Sequence, residues 1–568
     1  MIGQEVFKNI SEEACRALES VVGPEYLSTD PVLCSAYVGR GFDRQIFLFN
    51  EISRAPAAVI MPENTEQVAR IVKVCNLYKI PFTPMSSYGM AFGGPNFRDD
   101  FLFIDLKRMN HMWLDEKNMY VVLEPAVYFA QMHGDTLKRG LIGCVPGGGG
   151  GTSVLANSLV NGMGLFNYRI TYAAQRRWNG IEWVSPEGEI YRFGSLVAGD
   201  DSWFWQDGPG PNLSGLLHGI TGWGGAMGIV TKMSTKLYPY PPRKLEPEGI
   251  SYDSCVKLPE DREKWYNFSF SNEADVEKAL DEIARARIGF IVNRVPSFWR
   301  DIARTRGDLA YRNRFWELWE PQTREEVSGR RILRVLLVGR SGQAELEYEE
   351  RVLMDIVNEN NGKLLKARQV DEASFFAVNS LGMWQPTGMF GDCDTGMETM
   401  KAIREMGERW RKRETEKEYT ADFLDPKGDT PWYMAYNMGR LYYSELHAWP
   451  DAAQMDRGDK AEHKPGLEDR FMRWRVSEAG RIIIETGNQG FFYSLVTPVR
   501  VFAPALQNYD VWLDRMKAEF DPNGISAPGH PYIFDEIVDK VFPGAITDEL
   551  KDAVKKVAEG PWNGNPEK

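Results

Sequence analysis

Cysteine and histidine are scarce in this chain, and their spacing excludes several classes of protein. The 568 residues include six Cys and six His, and the Cys form no CxxC pair. The His residues form neither HExxH nor another metal-ligand pair, which disfavours a zinc or non-haem iron site. The absence of CxxCH means that any haem belongs to a partner. Reduced thiols are expected, and with them a cytoplasmic location.

Long apolar runs and an excess of positive charge are lacking as well. No segment reaches the roughly 20 apolar residues that a membrane helix needs, and the N-terminal residues have no basic region followed by an apolar run. The 67 Lys and Arg are outnumbered by 80 Asp and Glu, for a net charge of -13. Nucleic acid binding needs a concentrated basic surface and is disfavoured. Docking to a basic protein is compatible with this charge.

The sequence also has neither of the two common nucleotide-binding motifs. GxxxxGK[ST] is absent, and no GxGxxG turn is followed by an acidic residue at the required distance. What is present is a predicted strand-helix-strand unit: strand 57–62, helix 65–78 with Asn64 as N-cap, and an extended run from residue 80. This unit leads directly into the glycine- and serine-rich loop 84–94, whose backbone N–H groups could turn toward an anion.

A second glycine segment carries five consecutive glycines, Gly147–Gly151, followed by Thr152 and Ser153. Each glycine in regular structure lowers folding stability by roughly 0.5–1 kcal/mol relative to Ala, because its backbone loses more entropy on folding. A run of five glycines is therefore expected to serve a structural or functional purpose. Close approach of a flat or phosphorylated ligand is one reason, and a flexible hinge is the other.

Further along the chain, a proline cluster at 238–242 ends one unit. Two strand-helix-strand runs follow: strand 265–270, helix 273–287 and strand 288–292, then strand 331–338, helix 344–360 and strand 362–365. This order is typical of an antiparallel sheet covered by helices on one face. Late strands are predicted at 480–485 and 490–496, and a helix at 509–530.

In combination, these motifs resemble the vanillyl-alcohol oxidase and 4-cresol dehydrogenase family of FAD-linked oxidoreductases. The Gly/Ser loop, the Val145-Pro-Gly-Gly run, Gly228–Lys232 and the closing segment Asp521–Gly529 occur in the family's order. The resemblance implies an α+β fold, with a two-subdomain FAD-binding domain of the vanillyl-alcohol oxidase / p-cresol methylhydroxylase type and an inserted antiparallel-sheet cap domain. The FAD-binding domain would comprise residues 1–243 and 501–568, and the substrate or cap domain residues 244–500.

The same resemblance implies which residues contact FAD. The first loop would cradle the pyrophosphate, the glycine run would pass close to the flavin ring, and the Gly228 segment would face the adenine end. The residues so implied are Pro84, Ser86, Ser87, Tyr88, Gly89, Met90, Ala91, Pro146, Gly147, Gly148, Gly149, Gly150, Gly151, Thr152, Ser153, Gly228, Ile229 and Val230.

Three features that phenol-oxidising members of the family use are absent here. The carboxylate that those members hold in the glycine segment has no counterpart, Phe92 stands where their loop has a Tyr, and the late Tyr-Arg hairpin is shortened. Phenolate-stabilised hydride transfer is therefore disfavoured. Arg440 stands where the family often attaches FAD to a His, so non-covalent FAD is expected, and Tyr433 and Tyr436 are the candidates for covalent attachment.

The candidate catalytic residues are Tyr168, Arg169, Arg440, Tyr442 and Glu485. Tyr168 matches a family Tyr near the substrate, and a buried Arg169 would favour an anionic substrate or a reduced-flavin anion. Arg440 would place positive charge near the flavin. Glu485 and Tyr442 are expected on cap strands that could line the pocket, and Glu485, if buried, could serve as a base. A surface loop position for Arg169 and a solvent-facing position for Glu485 are the alternatives.

The functional prediction is an FAD-dependent oxidoreductase that removes a hydride from an aromatic or other hydrophobic organic substrate. The alternative is FAD-dependent oxidation of a hydroxy acid or another carboxylate, with Arg169 or Arg440 binding the acid. A non-catalytic binding subunit on the same scaffold is the third reading. The electron acceptor could be oxygen, a cytochrome or another carrier, and a homo-oligomer is expected.

Overall fold

A computed structural model gives the architecture of most of the chain. The residues it describes are 10–38, 54–87, 98–143, 150–160, 178–198, 203–205, 213–217, 223–244, 246–248, 255–295, 331–367, 369, 388–391, 405, 431–436, 438–439, 441–446, 458–459, 464–466, 469, 473–485 and 498–560. These residues fold as two compact units, and each unit is discontinuous in sequence. Unit 1 takes the described residues of Met1–Met163, Ala173–Tyr238 and Asn508–Ile537, and unit 2 takes those of Pro239–Gln507 and Val538–Lys568.

This division differs in two places from the one predicted from the sequence. The chain leaves unit 1 after Tyr238, whereas the predicted domain boundary was at residue 243. The C-terminal segment is shared, since Asn508–Ile537 packs with unit 1 and Val538–Lys568 with unit 2, whereas the sequence prediction assigned the whole of 501–568 to the FAD-binding domain.

Unit 1 contains a four-stranded sheet of order β1-β2-β4-β3. Strands β2, β4 and β3 run parallel, and β1 pairs antiparallel with β2. The strands and neighbouring helices are β1 (Leu27–Ser28), β2 (Ala58–Ile60), β3 (Phe82–Met85), β4 (Leu102–Asp105), α1 (Glu12–Val22), α2 (Pro31–Ser35) and α3 (Thr65–Tyr78).

Helix α3 forms as the sequence pattern predicts. The Asn64 side chain accepts a hydrogen bond from the Gln67 N–H at 2.9 Å, which satisfies one of the donors that a helix start leaves unpaired. The apolar residues at helical spacing are fully buried against the sheet: Val68, Ile71, Val72 and Cys75. The predicted strand-helix-strand unit is therefore confirmed.

The second sheet of unit 1 is antiparallel, with the order β5-β6-β10-β8-β9. Every residue of β8, an interior strand of this sheet, is buried, so this strand is covered on both faces. The elements of this part are β5 (Met112–Asp115), β6 (Tyr120–Leu123), α4 (Phe129–Thr136), β7 (Leu141–Ile142), α5 (Val154–Val160), β8 (Trp178–Val184), β9 (Ile190–Phe193), β10 (Ile229–Lys236) and α10 (Tyr509–Phe520).

A buried carboxylate joins the two parts of unit 1. Glu182 on β8 accepts hydrogen bonds from Thr65 at the start of α3 (2.6 Å), from Lys232 (3.1 Å) and from Arg192 (3.0 Å). Burial acts to raise the pKa of Glu182, but the bonds from Thr65 and Lys232 outweigh it and hold that pKa below its ordinary value. The charged form of this side chain therefore fixes the helix of one sheet to a strand of the other.

Unit 2 is built on a seven-stranded sheet of order β17-β14-β16-β15-β19-β20-β18. Every described strand pair in it is antiparallel. The sheet strands and the helices beside them are β14 (Glu263–Phe270), α6 (Glu273–Ala286), β15 (Ile291–Val295), β16 (Arg331–Val338), α7 (Gln343–Glu359), β17 (Lys363–Leu365), β18 (Gly388–Gly391), β19 (Pro431–Tyr436) and β20 (Leu441–Leu446).

Short strand pairs and a helical segment complete the described chain. The short strands are β11 (Tyr238–Pro239), β12 (Pro247–Glu248), β13 (Cys255–Val256), β21 (Gly458–Asp459) and β22 (Lys464–Pro465), and the remaining helices are α8 (Gly480–Glu485), α9 (Val499–Phe502), α11 (Ile533–Val541) and α12 (Asp548–Ala558). Among the helices that the structure describes, none is both long enough and apolar enough to cross a membrane.

The antiparallel sheet with helices on one face confirms the predicted α+β fold class, but one strand prediction is wrong. Residues 480–485 form helix α8, in which Ile482 and Ile484 are buried. An apolar run of this length is compatible with either a buried strand or a buried helix segment. The other predicted late strand, 490–496, lies outside the described residues, and the predicted helix 509–530 ends at Phe520.

Candidate cofactor site

The first predicted cofactor segment leaves the carboxyl end of a buried parallel strand. Pro84 lies within β3, and Ser86 and Ser87 follow it as buried residues. Loops at the carboxyl ends of parallel strands are the usual ligand position of an open α/β sheet. Tyr88, Gly89, Met90 and Ala91 lie outside the described residues.

The second predicted segment meets the first through a direct hydrogen bond. The backbone N–H of Ser153 donates to the Ser87 hydroxyl oxygen at 3.2 Å, and both residues are buried. The Ser153 hydroxyl in turn donates to the Pro125 carbonyl at 2.5 Å and accepts from the Ala156 N–H at 3.1 Å. Two segments that lie 66 positions apart in sequence are thus held side by side.

The described end of the glycine run is itself anchored to the start of helix α4. The Gly150 carbonyl accepts from the Ala130 N–H at 3.0 Å, and the Thr152 carbonyl accepts from the Phe129 N–H at 3.1 Å. These bonds fix the path of the backbone on both sides of Gly151. Pro146, Gly147, Gly148 and Gly149 lie outside the described residues.

Gly151 shows that this path leaves room for a ligand. A Cβ atom placed on Gly151, which is exposed, would meet no atom of the described residues within 4 Å, and the backbone there does not adopt a left-handed conformation. Neither packing nor backbone geometry therefore requires glycine at this position. A flat cofactor that approaches the backbone closely would require it, so the residues present fit the FAD that the sequence implies.

The third predicted segment reaches the same place from the second sheet. Ile229 and Val230 are buried on β10 and pair with Val184 and Trp183. Gly228, which precedes them, has a φ of +87°, and its N–H donates to the Ser526 hydroxyl at 3.2 Å. Glycine is the residue that adopts this conformation without strain.

The turn before Gly228 packs directly on the first segment. A Cβ on Gly225 would lie 2.3 Å from the Pro84 ring, and φ at Gly225 is +89°. Glycine is therefore required there by the protein itself, in contrast to Gly151. The described parts of the three predicted segments converge around the carboxyl end of β3.

The closing segment is held by a buried ion pair that the sequence reasoning did not single out. The Asp521 carboxylate accepts hydrogen bonds from the N–H groups of Ile525 (3.2 Å) and Ser526 (3.0 Å), and it pairs with Lys517 at 2.5 Å. Lys517 also donates to the carbonyls of Ala226 and Ser526. Burial lowers the pKa of Lys517, although Asp521 opposes the shift. The i, i+4 spacing of Lys517 and Asp521 is the signal that could have revealed the pair.

His530 at the end of this segment is also buried. A Cβ on Gly224 would lie 2.7 Å from its ring, so the ring covers the turn 224–228. Burial, and to a lesser degree the charge of Lys517, lower the pKa of His530 to about 4. His530 is therefore neutral near neutral pH and acts here as a packing group.

A second cluster missed by sequence reasoning lies beside the carboxyl end of β4. Asp105 is buried and aligned with Met85 of β3. It accepts a hydrogen bond from the Tyr37 hydroxyl at 2.9 Å and pairs with Lys107 at 3.0 Å. Burial and the Asp105 charge raise the pKa of Tyr37. Tyr37 and Asp105 lie 68 positions apart and belong to no sequence motif, so the sequence did not predict this cluster.

The structure describes two of the five candidate catalytic residues. Glu485 is the last residue of helix α8, so its predicted position on a strand is wrong. It is exposed, as the solvent-facing alternative expected, which removes the reason to treat it as a base. Tyr442 does lie on a strand, β20, but it is fully buried in the core between the sheet and α6. Its catalytic role stays a prediction. Tyr168, Arg169 and Arg440 lie outside the described residues.

For Tyr433 and Tyr436, the candidates for covalent flavin attachment, the structure describes the backbone position. Tyr433 and Tyr436 lie on β19, where they pair with Ser444 and Leu441 of β20. Among the described residues there is no group of three or more His, Cys, Asp or Glu side chains that could hold a metal ion.

Comparison with known proteins identifies an FAD binding domain in this part of the chain. Residues 56–194 match the FAD binding domain family. The chain is 32% identical over 254 residues to the 4-cresol dehydrogenase flavoprotein subunit of Pseudomonas putida, covering 43% of each protein. It is 28% identical over 191 residues to glycolate oxidase subunit GlcD of Bacillus subtilis, covering 33% of this chain and 38% of the relative. The matched region thus spans less than half the length of these curated relatives.

Solved structures extend the similarity in fold to nearly the whole chain. Substrate-bound p-cresol methylhydroxylase aligns with a TM-score of 0.64 and 17% identity, covering 91% of this chain and 96% of that one. The 4-ethylphenol oxidase from Gulosibacter chungangensis aligns with a TM-score of 0.66 and 19% identity, covering 94% and 99%. At these identities the likeness concerns the fold.

The match of residues 56–194 to the FAD binding domain family defines the chain as a flavoprotein. The matched domain makes FAD the cofactor, and the fold is that of the p-cresol methylhydroxylase and vanillyl-alcohol oxidase type. The two-subdomain FAD-binding domain with an antiparallel-sheet cap is confirmed as its fold.

Proposed function

We propose that the protein is an FAD-dependent oxidoreductase that removes a hydride from an aromatic or other hydrophobic organic substrate. The observation that carries this proposal is the junction of the two glycine segments at Ser87 and Ser153, with space for a ligand beside Gly151. This junction lies inside the region that matches the FAD binding domain family.

When bound, FAD supplies the redox chemistry, and the polypeptide binds and orients the cofactor and the substrate. The Ser87–Ser153 hydrogen bond fixes the separation of the two loops that hold FAD. Gly151 admits the cofactor to the backbone because it has no side chain. Tyr168, Arg169 and Arg440 are the residues that we propose to face the substrate, and the two arginines would favour negative charge there.

A phenolate is not the substrate that we propose. Phe92 replaces the loop Tyr of the phenol-oxidising members, and the glycine segment has no carboxylate. The alternative substrate class is a hydroxy acid or another carboxylate. The arginines support it, and so does the similarity to a glycolate oxidase subunit and to the D-lactate dehydrogenase of Anaerostipes hadrus, which is 28% identical over 188 residues and matched over 37% of its length.

The visible spectrum, recorded before and after acid precipitation, tests the proposal. We expect a yellow protein whose flavin appears in the supernatant, because FAD is proposed to be non-covalent. Flavin that remains with the precipitate would instead support attachment at Tyr433 or Tyr436. Purified protein without any flavin would contradict the proposal and favour a non-catalytic binding subunit.

Anaerobic bleaching of the flavin distinguishes the substrate classes. Hydrophobic aromatic alcohols, alkylphenols and 2-hydroxy acids are compared at equal concentrations, and the rate of bleaching is measured for each. The proposal expects aromatic or hydrophobic compounds to reduce the flavin. Bleaching by short hydroxy acids alone would establish the alternative.

We further propose that a protein such as a cytochrome accepts the electrons, and that the protein acts in the cytoplasm as a homo-oligomer. The name of the Pseudomonas putida relative, a flavoprotein subunit, supports a partner protein. The net charge of -13 favours a basic partner.

A further inference from the structure

The antiparallel sheet of unit 1 has an open edge at β9 (Ile190–Phe193). This strand pairs with β8 on one side, and among the described strands none pairs with its other side. The first three residues of β9 are exposed. An exposed edge strand presents unpaired backbone N–H and C=O groups, which another strand can pair with.

The turn before β9 determines which of its backbone groups face outward. The Ser185 N–H donates to the Glu189 carbonyl at 2.8 Å, so these two residues form a hydrogen-bonded pair of the hairpin. Hydrogen-bonded and non-hydrogen-bonded pairs alternate along antiparallel strands. Tyr191 is therefore hydrogen-bonded to β8, whereas Ile190 and Arg192 direct their N–H and C=O groups toward the open edge.

The side chains around this edge are large, apolar and about half exposed. Five of them are between 41% and 54% exposed: Ile190, Tyr191, Val197, Phe204 and Trp205. The segment that carries Phe204 and Trp205 is held at the end of β9, because the Trp205 carbonyl accepts from the Ser195 N–H at 2.8 Å. Clusters of exposed apolar side chains on a protein surface mark interaction sites.

The charges along the edge are paired within the chain. Arg192, the one charged residue of β9, pairs with the buried Glu182 at 3.0 Å. Glu189, which precedes the strand, pairs with Lys73 at 2.9 Å. The strand therefore carries no excess charge, although the whole chain has a net charge of -13. A basic partner would gain little from such a surface, whereas a second copy of the chain can approach it without strong repulsion.

From the open backbone edge and its neutral, apolar surroundings we infer that β9 pairs antiparallel with β9 of a second copy of this chain. The two copies are related by a two-fold axis, so the same surface serves on both sides. Their five-stranded sheets then continue into one another across the interface.

The register of this pairing follows from the outward-facing groups. Outward-facing residues must lie opposite one another, and the register that uses only residues of β9 places Ile190 opposite Arg192 of the second copy. Tyr191 then lies opposite Tyr191 of the second copy, as an aromatic cross-strand pair. No two like charges face each other in this register.

The exposed area is sufficient for a small interface. A complete aromatic side chain buries about 150–250 Å², so half of five large side chains gives on the order of 400 Å² per copy. Together with the strand backbone, the two copies would bury about 1,000 Å², near the lower limit for a specific interface. We therefore expect a dimer that dissociates on dilution. This inference rests on the proposed homo-oligomer, whose surface it names, and is independent of the proposed redox chemistry.

Cysteine cross-linking of the FAD-loaded protein tests the register. In the proposed pairing the two Tyr191 Cα atoms lie roughly 4.5 Å apart, within the range of a disulfide. Tyr191→Cys is therefore expected to form a disulfide-linked dimer with oxidised glutathione. Ile190→Cys is the matched control, because its two copies would be offset along the strands by roughly 7 Å and should stay unlinked. The parent protein reports any linkage through its six native cysteines.

Light scattering over a dilution series measures the association without an oxidant. Tyr191→Glu places two carboxylates opposite each other and is expected to raise the dimer dissociation constant by about 10- to 100-fold. Tyr191→Phe keeps the ring and is expected to leave the constant unchanged. Trp113→Glu is the matched control, because Trp113 lies on β5 at the other edge of the sheet and is 49% exposed.

Ile190→Pro is a second variant for the same measurement, and it serves if Tyr191→Glu fails to fold. Proline removes an N–H group that faces outward and leaves the bonds to β8 in place, a position that edge strands tolerate. It is expected to weaken the dimer as Tyr191→Glu does.

The outcomes separate this inference from the proposed function. A dimer that persists in both Tyr191→Glu and Ile190→Pro would overturn the inference alone, and so would a Tyr191→Cys protein that does not cross-link. A monomeric parent protein would overturn the inference and the homo-oligomer together, and would leave the edge to a strand of another protein. The flavin spectrum of each preparation is a separate measurement, because protein without flavin contradicts the proposed redox function and not the pairing of β9.

Discussion

At the scale of single residues, two glycines of the candidate site differ in whether the surrounding protein has room for a side chain. Gly225 is required by the protein, because a Cβ there would lie 2.3 Å from the Pro84 ring. Gly151 is not, because a Cβ there would meet no atom within 4 Å in the part of the chain that the structure describes. Gly151→Ala should therefore leave the free energy of unfolding of the FAD-free protein unchanged or raise it slightly. It should weaken FAD binding by about 10- to 100-fold, the effect of overpacking a close contact.

Gly225→Ala serves as the comparison for this prediction. It should destabilise the FAD-free protein itself, because both the left-handed backbone and the Pro84 contact oppose a side chain. Urea unfolding of the FAD-free proteins and titration with FAD, followed by flavin fluorescence, measure the two effects. If Gly151→Ala binds FAD as tightly as the parent protein does, FAD does not approach this backbone.

The buried histidine allows a prediction about pH. His530 has a pKa lowered to about 4, against roughly 6.5 for the unfolded chain. As pH falls through 6.5, the unfolded state takes up a proton that the folded state does not accept until about pH 4. The contribution of this group to stability is thus complete above pH 6.5 and falls between pH 6.5 and 4, by about 3 kcal/mol.

His530→Phe should remove this contribution while keeping a ring over Gly224. Urea unfolding at several pH values between 4 and 7 should then show a smaller loss of stability toward acid than in the parent protein. His111→Phe is the control, because 68% of the His111 side chain is exposed. Parallel pH profiles for the parent protein and His530→Phe would show that His530 is not the group responsible.

At the scale of structural elements, the closing segment depends on one carboxylate. Asp521 holds the N–H groups of Ile525 and Ser526 and neutralises Lys517. Asp521→Ala should cost about 3–5 kcal/mol, because it leaves a largely buried ammonium without its partner. Thermal and urea unfolding measure the loss.

Asp281→Ala is the control for this change, because Asp281 forms an i, i+4 pair with Arg285 in which the side chains are 45% and 78% exposed. It should cost less than about 1 kcal/mol. Similar losses for the two variants would mean that the Asp521 pair is not buried in the way described.

The structural elements also differ in how well the sequence predicts them. Helix α3 was predictable because its N-cap and its apolar stripe both follow from local rules. Helix α8 was predicted as a strand, because the run Ile482–Ile484 satisfies the pattern of a buried strand as well as that of a buried helix segment. The site was predictable as three glycine-rich segments, but the hydrogen bond between Ser87 and Ser153 was not, because it depends on how distant segments pack.

At the scale of the whole molecule, discontinuity in sequence set a further limit on prediction. The last part of the chain divides between the two units after Ile537. Helix α12 packs with α8 and α9 through Leu550 and Phe502 beside Gly480. These contacts join residues far apart in sequence, and no local pattern specifies the partner of an amphipathic helix. The family resemblance predicted the order of the domains, but it did not predict that the C-terminal segment is divided between the two units after Ile537.

Net charge is a property of the whole chain, and it leads to the last prediction. With a net charge of -13, the protein should attract a basic electron acceptor. Salt screens this attraction, and at physiological ionic strength the screening length is about 8 Å. Stopped-flow reduction of a basic cytochrome by the substrate-reduced protein should slow by about tenfold between 10 and 150 mM salt, in the range expected for electrostatic steering. Reduction of an uncharged quinone should change little over the same range, because it lacks the charge that the field would steer. Equal salt dependence for the two acceptors would show that the acceptor is not selected by charge, and a small carrier would then replace the cytochrome in the proposed function.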